Sequence, residues 1–133
     1  MKRKKRKPGP GTIVPGSPRK MSEMVWEFAG EFIRSGGTLE EKQNRINPAC
    51  SAWNMACSPP EVRSISLDQY IESYRSYNPE ADDDDVSNIR VGMEELMRNK
   101  LSLFPAVNNQ IVGGAITRRE GKDHIEISSA RIE

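Results

Sequence analysis

At 133 residues the chain has room for one domain around one core. Its formal charge of +1 conceals a partition: residues 1–20 hold 8 of the 20 Lys and Arg and none of the 19 acids, so the other 113 residues carry 12 bases against 19 acids, a formal −7. No apolar run approaches the roughly 18 residues of a membrane-spanning helix, and the charged N-terminus has no apolar stretch behind it, which speaks against a secretory leader.

Residues 2–7 read KRKKRK and are followed by PGPGTIVPGSP at 8–18. Like charges repel, proline removes backbone donors, and glycine raises the entropy cost of ordering. Nothing in this stretch offsets that cost, so 1–20 is predicted to be a disordered basic tail and 21–133 a single small domain.

Four helices are predicted in chain order. The first runs over about 22–35, with Ser22 as N-cap, Met24, Val25, Phe28, Phe32 and Ile33 at helical spacing, and Gly36-Gly37 as the stop. Thr38 and Glu41 form a capping box that opens the second. Leu39, Ile46, Ala49, Cys50, Trp53 and Cys57 mark one face of it, Pro48 is expected to kink or split it near Asn47, and Pro59-Pro60 end it. Ser66 with Gln69 is the predicted start of the third, whose stripe is Leu67, Tyr70, Ile71 and Tyr74 and whose stop is Asn78-Pro79. Asp82–Asp85 precede the fourth, in which Val86, Ile89, Met93, Leu96, Met97 and Leu101 repeat along one face before Pro105.

The period then changes. Ile111 to Thr117 suits a strand, with Gly113-Gly114 as a bulge or bend. Residues 119–123 hold a glycine turn, and His124 to Ser128 alternate with Ile125 and Ile127 on one side. This pattern reads as a β-hairpin. The predicted fold is therefore α+β and mostly helical: a small irregular bundle of about four helices followed by a C-terminal β-hairpin.

Chemistry-bearing residues are few. Counting from Asp83, the residues Asp83, Asp85, Ser87 and Glu94 occupy the first, third, fifth and twelfth places of a calcium-binding loop. The sixth is Asn88 rather than Gly, and the helical stripe crosses the would-be loop, so the acids read as stabilising a helix N-terminus. Cys50 and Cys57 lie roughly 10.5 Å apart on one helix, beyond disulfide reach, and read as free thiols of a reducing compartment. A zinc site needs about four ligands, and the chain offers two Cys and the single His124. One histidine removes most acid–base and nucleophile-activation schemes. Gly121-Lys122 is followed by Asp123 and is not a phosphate-binding loop. No catalytic, metal or cofactor site is predicted. Tyr70, Tyr74 and Tyr77 share one helical face and read as closing a small core with wet hydroxyls.

The sharpest candidate site is the tail. Lys2, Arg3, Lys4, Lys5, Arg6 and Lys7 would neutralise several phosphates and release counterions, without aromatic residues for base stacking. The expected function is a non-enzymatic interaction or accessory protein whose acidic helical body docks to a protein partner and whose tail contacts nucleic acid or another polyanion. The alternatives are a nucleic-acid-binding regulatory protein in its own right, and a small enzyme whose site forms only in an oligomer. The expected location is intracellular and cytoplasmic, or nuclear in a eukaryotic host. An isolated hairpin leaves both strands as edges, so residues 111–128 are expected to form a homodimer or a partner complex by strand addition.

Overall fold

The computed structural model describes residues 20–130. The tail residues Lys2, Arg3, Lys4, Lys5, Arg6 and Lys7 lie outside them. Four helices, α1 (Met21–Arg34), α2 (Leu39–Cys57), α3 (Pro60–Tyr77) and α4 (Asp83–Leu103), precede an antiparallel hairpin of β1 (Gln110–Arg119) and β2 (Lys122–Ala130). The architecture is the α+β one expected from the sequence.

Helix α1 begins at Met21 with Lys20 as an N-cap that makes no side-chain cap bond, so Ser22 is a first-turn residue and not the cap. Its buried face is Met24, Val25, Phe28, Ala29, Gly30 and Ile33, while Phe32 is half-buried. The capping box that opens α2 is present: the Glu41 N–H donates to the Thr38 hydroxyl and the Thr38 N–H to the Glu41 carboxylate, each at 3.1 Å. Helix α2 runs unbroken through Pro48. Proline removes one helical hydrogen bond, but Ile46, Ala49, Cys50, Ala52 and Trp53 on both sides of it are buried together. That packing holds the helix where local propensity would divide it.

Helix α3 starts at Pro60, six residues earlier than the Ser66–Gln69 pattern predicts. A proline at the first helical position has no donor to lose and a φ already suited to the helix. Only Leu67 and Ile71 of α3 are buried; Tyr70 and Tyr74 pack at the edge of the core, and Tyr77 is 85% exposed. Asp82 caps α4 in a second capping box, with Asp85 N–H donating to Asp82 at 2.8 Å and Asp82 N–H to Asp85 at 3.1 Å. Residues 83–94 are helical, so the acids stand at a helix N-terminus and not in a cation-binding loop. Val86, Met93, Leu96 and Met97 are buried as the periodicity implies, with Ile89 and Leu101 half-buried.

Trp53 is wholly buried, with Phe28 meeting it edge-on at 5.4 Å between ring centroids and Phe104 tilted against it at 5.9 Å. Its indole N–H donates to the Asn109 carbonyl at 2.7 Å, which ties the 104–109 connection to the core. The hairpin turn is the two-residue loop Glu120-Gly121, with φ of 54° and 75°. Positive φ at both central residues matches the twist of the strands.

Candidate interaction surface at the hairpin

The hairpin packs against α2 along β1, and α1 also reaches β2. Two amide side chains of α2 bind the outer backbone of β1. Asn54 accepts from the Ile111 N–H at 2.7 Å and donates to the Ile111 carbonyl at 2.8 Å. Gln43 accepts from the Ile116 N–H at 2.9 Å and donates to the Gly114 carbonyl at 3.3 Å. These residues stand eleven positions apart, three turns of helix, so both face the same strand. Their amides stand in for a third strand.

Ile111 and Ile116 differ by an odd number, and an unbroken strand would point their backbone groups to opposite edges. The pairing register shifts between Ile111 and Gly113, leaving Val112 as the extra residue of a bulge, 69% exposed. The bulge resets the phase so that both isoleucines are buried and both present their backbone to α2. Gly114 makes the approach: a Cβ there would stand 2.9 Å from Ile46 Cγ2, 3.0 Å from Ile127 Cδ1 and 3.3 Å from Cys50 Sγ.

The β2 edge differs. In an antiparallel ladder, directly opposed residues point their N–H and C=O groups either both inward or both outward. Ile116 opposes Ile125 and Gly114 opposes Ile127. Since the β1 members turn outward to Gln43, the backbone groups of Ile125 and Ile127 turn outward on the far side, as do those of Asp123 by the same alternation. Among the described residues no side chain bonds to them. The expectation of two open edges is therefore corrected for β1, which α2 closes; the edge of β2 carries no side-chain hydrogen bond among the described residues.

Asp123 anchors the turn end of β2. Lys42 donates to it at 2.6 Å and Arg118 at 3.1 Å. These hydrogen bonds, that from Lys42 foremost, hold its carboxyl below the usual aspartate range. His124 and Glu126 lie exposed on the opposite face, as alternation predicts for His124.

A second polar site lies in the core. Lys100 is 0% exposed; its Nζ donates to the Val107 carbonyl at 2.7 Å and sits 5.1 Å from the centroid of the Trp53 ring. The Cys57 thiol approaches the same carbonyl at 3.7 Å and that of Asn109 at 3.9 Å. Burial lowers the Lys100 pKa, and Cys57 beside it partly restores it. Burial likewise pushes the Cys57 thiol up, against a downward pull from Lys100. Cys50, buried against the hairpin, is pushed up to about 11. Both thiols are free, and raised pKa values make both poor nucleophiles.

Two surface grooves lie among the described residues. One of about 470 Å³ between α3 and α4 is crossed by the ion pairs Arg90–Asp68 at 3.0 Å and Arg75–Asp83 at 3.5 Å. The other, about 380 Å³ between α1 and α4, has Phe28, Phe32 and Leu96 in its wall with Glu31 and Glu95. Among the described residues no group of three or more His, Cys, Asp or Glu is placed to hold a metal ion, and no helix is long and apolar enough to cross a membrane.

Gln43, Asn54 and Lys100 escaped the sequence reading. Lys100 had a signal: it falls four residues after Leu96 and seven after Met93, on the apolar stripe itself. The two amides had none beyond their shared face, since polar residues on a helix are ordinary. No family model matches the chain, and comparison with curated proteins and with solved structures returns no match.

Proposed function

We propose that this chain is a non-enzymatic interaction or accessory protein. In this reading the helical body docks to a protein partner, the hairpin over 111–128 serves assembly with a second copy or that partner, and Lys2, Arg3, Lys4, Lys5, Arg6 and Lys7 contact nucleic acid or another polyanion. The observation that carries it is the hairpin's asymmetry. One strand is fastened to the body by four side-chain hydrogen bonds, while the outer backbone edge of its neighbour has no side-chain partner among the described residues. Edges of that kind recruit other strands unless they are blocked. The charge partition supports the rest. Residues 21–103 hold 15 acids against 8 bases, so polyanion contact falls to the tail.

The test is a salt titration of duplex DNA binding by the full chain and by residues 21–133. The full chain is expected to bind with a slope of log K against log salt of about −5, for six neutralised phosphates. The truncated chain is expected not to bind. Equal binding by the truncated chain would transfer the affinity to the body and favour a regulatory protein that binds nucleic acid through its helices. The acids Asp82–Asp85 at the junction of α3 and α4 oppose that arrangement.

A further inference from the structure

We infer that the open edge of β2 pairs antiparallel with β2 of a second copy, about a two-fold axis at Ile125, to give a continuous four-stranded sheet. The inference rests on the reading of the hairpin as an assembly element and names its occupant and register.

The occupant follows from the number of open edges. A molecule with two free edges assembles head to tail without closing, whereas self-pairing through one edge is isologous and stops at two. Gln43 and Asn54 remove β1 from the choice. What remains is a single strand of ordinary length whose middle, from Asp123 to Ser129, carries no lysine, no proline and no bulge. Those are among the devices that guard edge strands, and the acidic residues of β2, Asp123 and Glu126, are ion-paired within the molecule, to Lys42 and Arg118 and to Arg119.

The register follows from phase and charge. Asp123, Ile125, Ile127 and Ser129 have outward backbone groups, so these residues must face one another across the axis; a slip by one residue would turn apolar side chains to solvent. Every axis that passes through a residue keeps this phase, and the three centred on the stretch 123–127 lie at His124, Ile125 and Glu126. An axis at His124 sets two histidines opposite each other, and an axis at Glu126 sets two glutamates opposite each other. An axis at Ile125 sets His124 opposite Glu126 of the second copy, twice by symmetry, and Ile125 opposite itself. Two glutamates set opposite each other repel, whereas an imidazole N–H of His124 can donate to the Glu126 carboxylate across the strands. The same register covers the half-exposed flanks of Ile125 and Ile127 on the helix-facing side. Asp123, which faces Ile127 of the second copy, is already neutralised by Lys42 and Arg118.

The experiment is sedimentation of the full chain over a concentration series, with amide hydrogen exchange at its two ends. A dimer is expected, with protection of the Asp123, Ile125 and Ile127 amides rising with concentration while that of Ile116 stays constant. Glu126→Lys, which lies on the solvent face, is expected to weaken the dimer roughly tenfold, since two cross-strand pairs are lost together. His124→Glu combined with Glu126→Lys restores the pairs in reverse and is expected to restore the dimer. A monomer at every concentration overturns the inference, and so does a dimer in which those three amides exchange as in the monomer. Either failure leaves nucleic-acid binding through the tail intact, and loss of that binding leaves the dimer intact, so the two readings fail separately.

Discussion

The ammonium of Lys100 lies 5.1 Å from the centroid of the Trp53 ring, and the two side chains hold neighbouring carbonyls of one connection, Val107 and Asn109. Each partner keeps the other from being costly: the ring face attracts the cation, and the lysine stem fills space beside the indole. Together they fasten residues 104–109 between α4 and the hairpin, which sets where β1 meets α2.

Trp53→Ala is therefore expected to cost about 3–5 kcal/mol in cavity and transfer terms, most of the stability of a small domain. The soluble yield should fall sharply and the thermal transition should broaden or vanish. Trp53→Phe retains a ring under Lys100 but loses the bond to Asn109, at a cost of about 1 kcal/mol. An unchanged melting temperature in the alanine variant would contradict the core role.

Lys100 makes a pH prediction whose sign is fixed by linkage. Its folded pKa is lowered by burial, so above that value the unfolded chain binds a proton that the folded chain has lost. Stability then rises with pH until the unfolded lysine also titrates, near its ordinary value of 10.5. The neighbouring Cys57 thiol, shifted upward, acts in the opposite sense. In a Cys57→Ser background, denaturant unfolding should show Lys100 becoming less costly relative to Lys100→Met as the pH is raised from neutral toward that limit. A constant difference across the range would show that Lys100 has its ordinary pKa.

Most of the fold was legible in the sequence because it is written in periodicity. The stripe from Val86 to Leu101, the capping box at Thr38–Glu41 and the acids Asp82–Asp85 before the fourth helix are local signals, and local signals survive folding. The misses share a cause. Pro48 reads as a break because its cost is local, while the burial that overrides it comes from distant residues. Ser66–Gln69 reads as a helix start because a capping box is specific, but Pro60 starts a helix with no partner at all. The edge closure by Gln43 and Asn54 joins residues more than fifty positions apart, and no pattern within a window records it.

Gly113 and Gly114 are adjacent in sequence and opposite in consequence. A Cβ at Gly113 meets nothing within 4 Å, whereas one at Gly114 meets Ile46, Ile127 and Cys50 at 2.9–3.3 Å. Gly113→Val should be neutral or slightly stabilising, since glycine in a strand is unfavourable by roughly 0.5–1 kcal/mol. Gly114→Val should lift β1 from α2 and cost about 1–3 kcal/mol in overpacking. Thermal melts of the two variants provide the comparison, and equal effects would mean that β1 does not approach α2 this closely.

The closing of β1 by α2 can be undone one bond pair at a time. Asn54→Ala leaves both backbone groups of Ile111 without a partner, at the rim of a core in which Ile111 itself is buried. Gln43→Ala does the same at Gly114 and Ile116, nearer the turn. Each unsatisfied buried group costs about 1–3 kcal/mol, less where water reaches it, so each variant is expected to lose on the order of 2 kcal/mol. The Asn54 variant should lose more, because its two bonds are shorter. The amides of Ile111 and Ile116 should exchange faster in the corresponding variant, since these are the donors released. The double variant exposes a second edge on each molecule. A protein with two open edges no longer closes at a pair, so light scattering should show concentration-dependent growth beyond a dimer. If the double variant remains at the size of the parent while both amides exchange freely, the two side chains are needed only for packing β1 and not for guarding its edge.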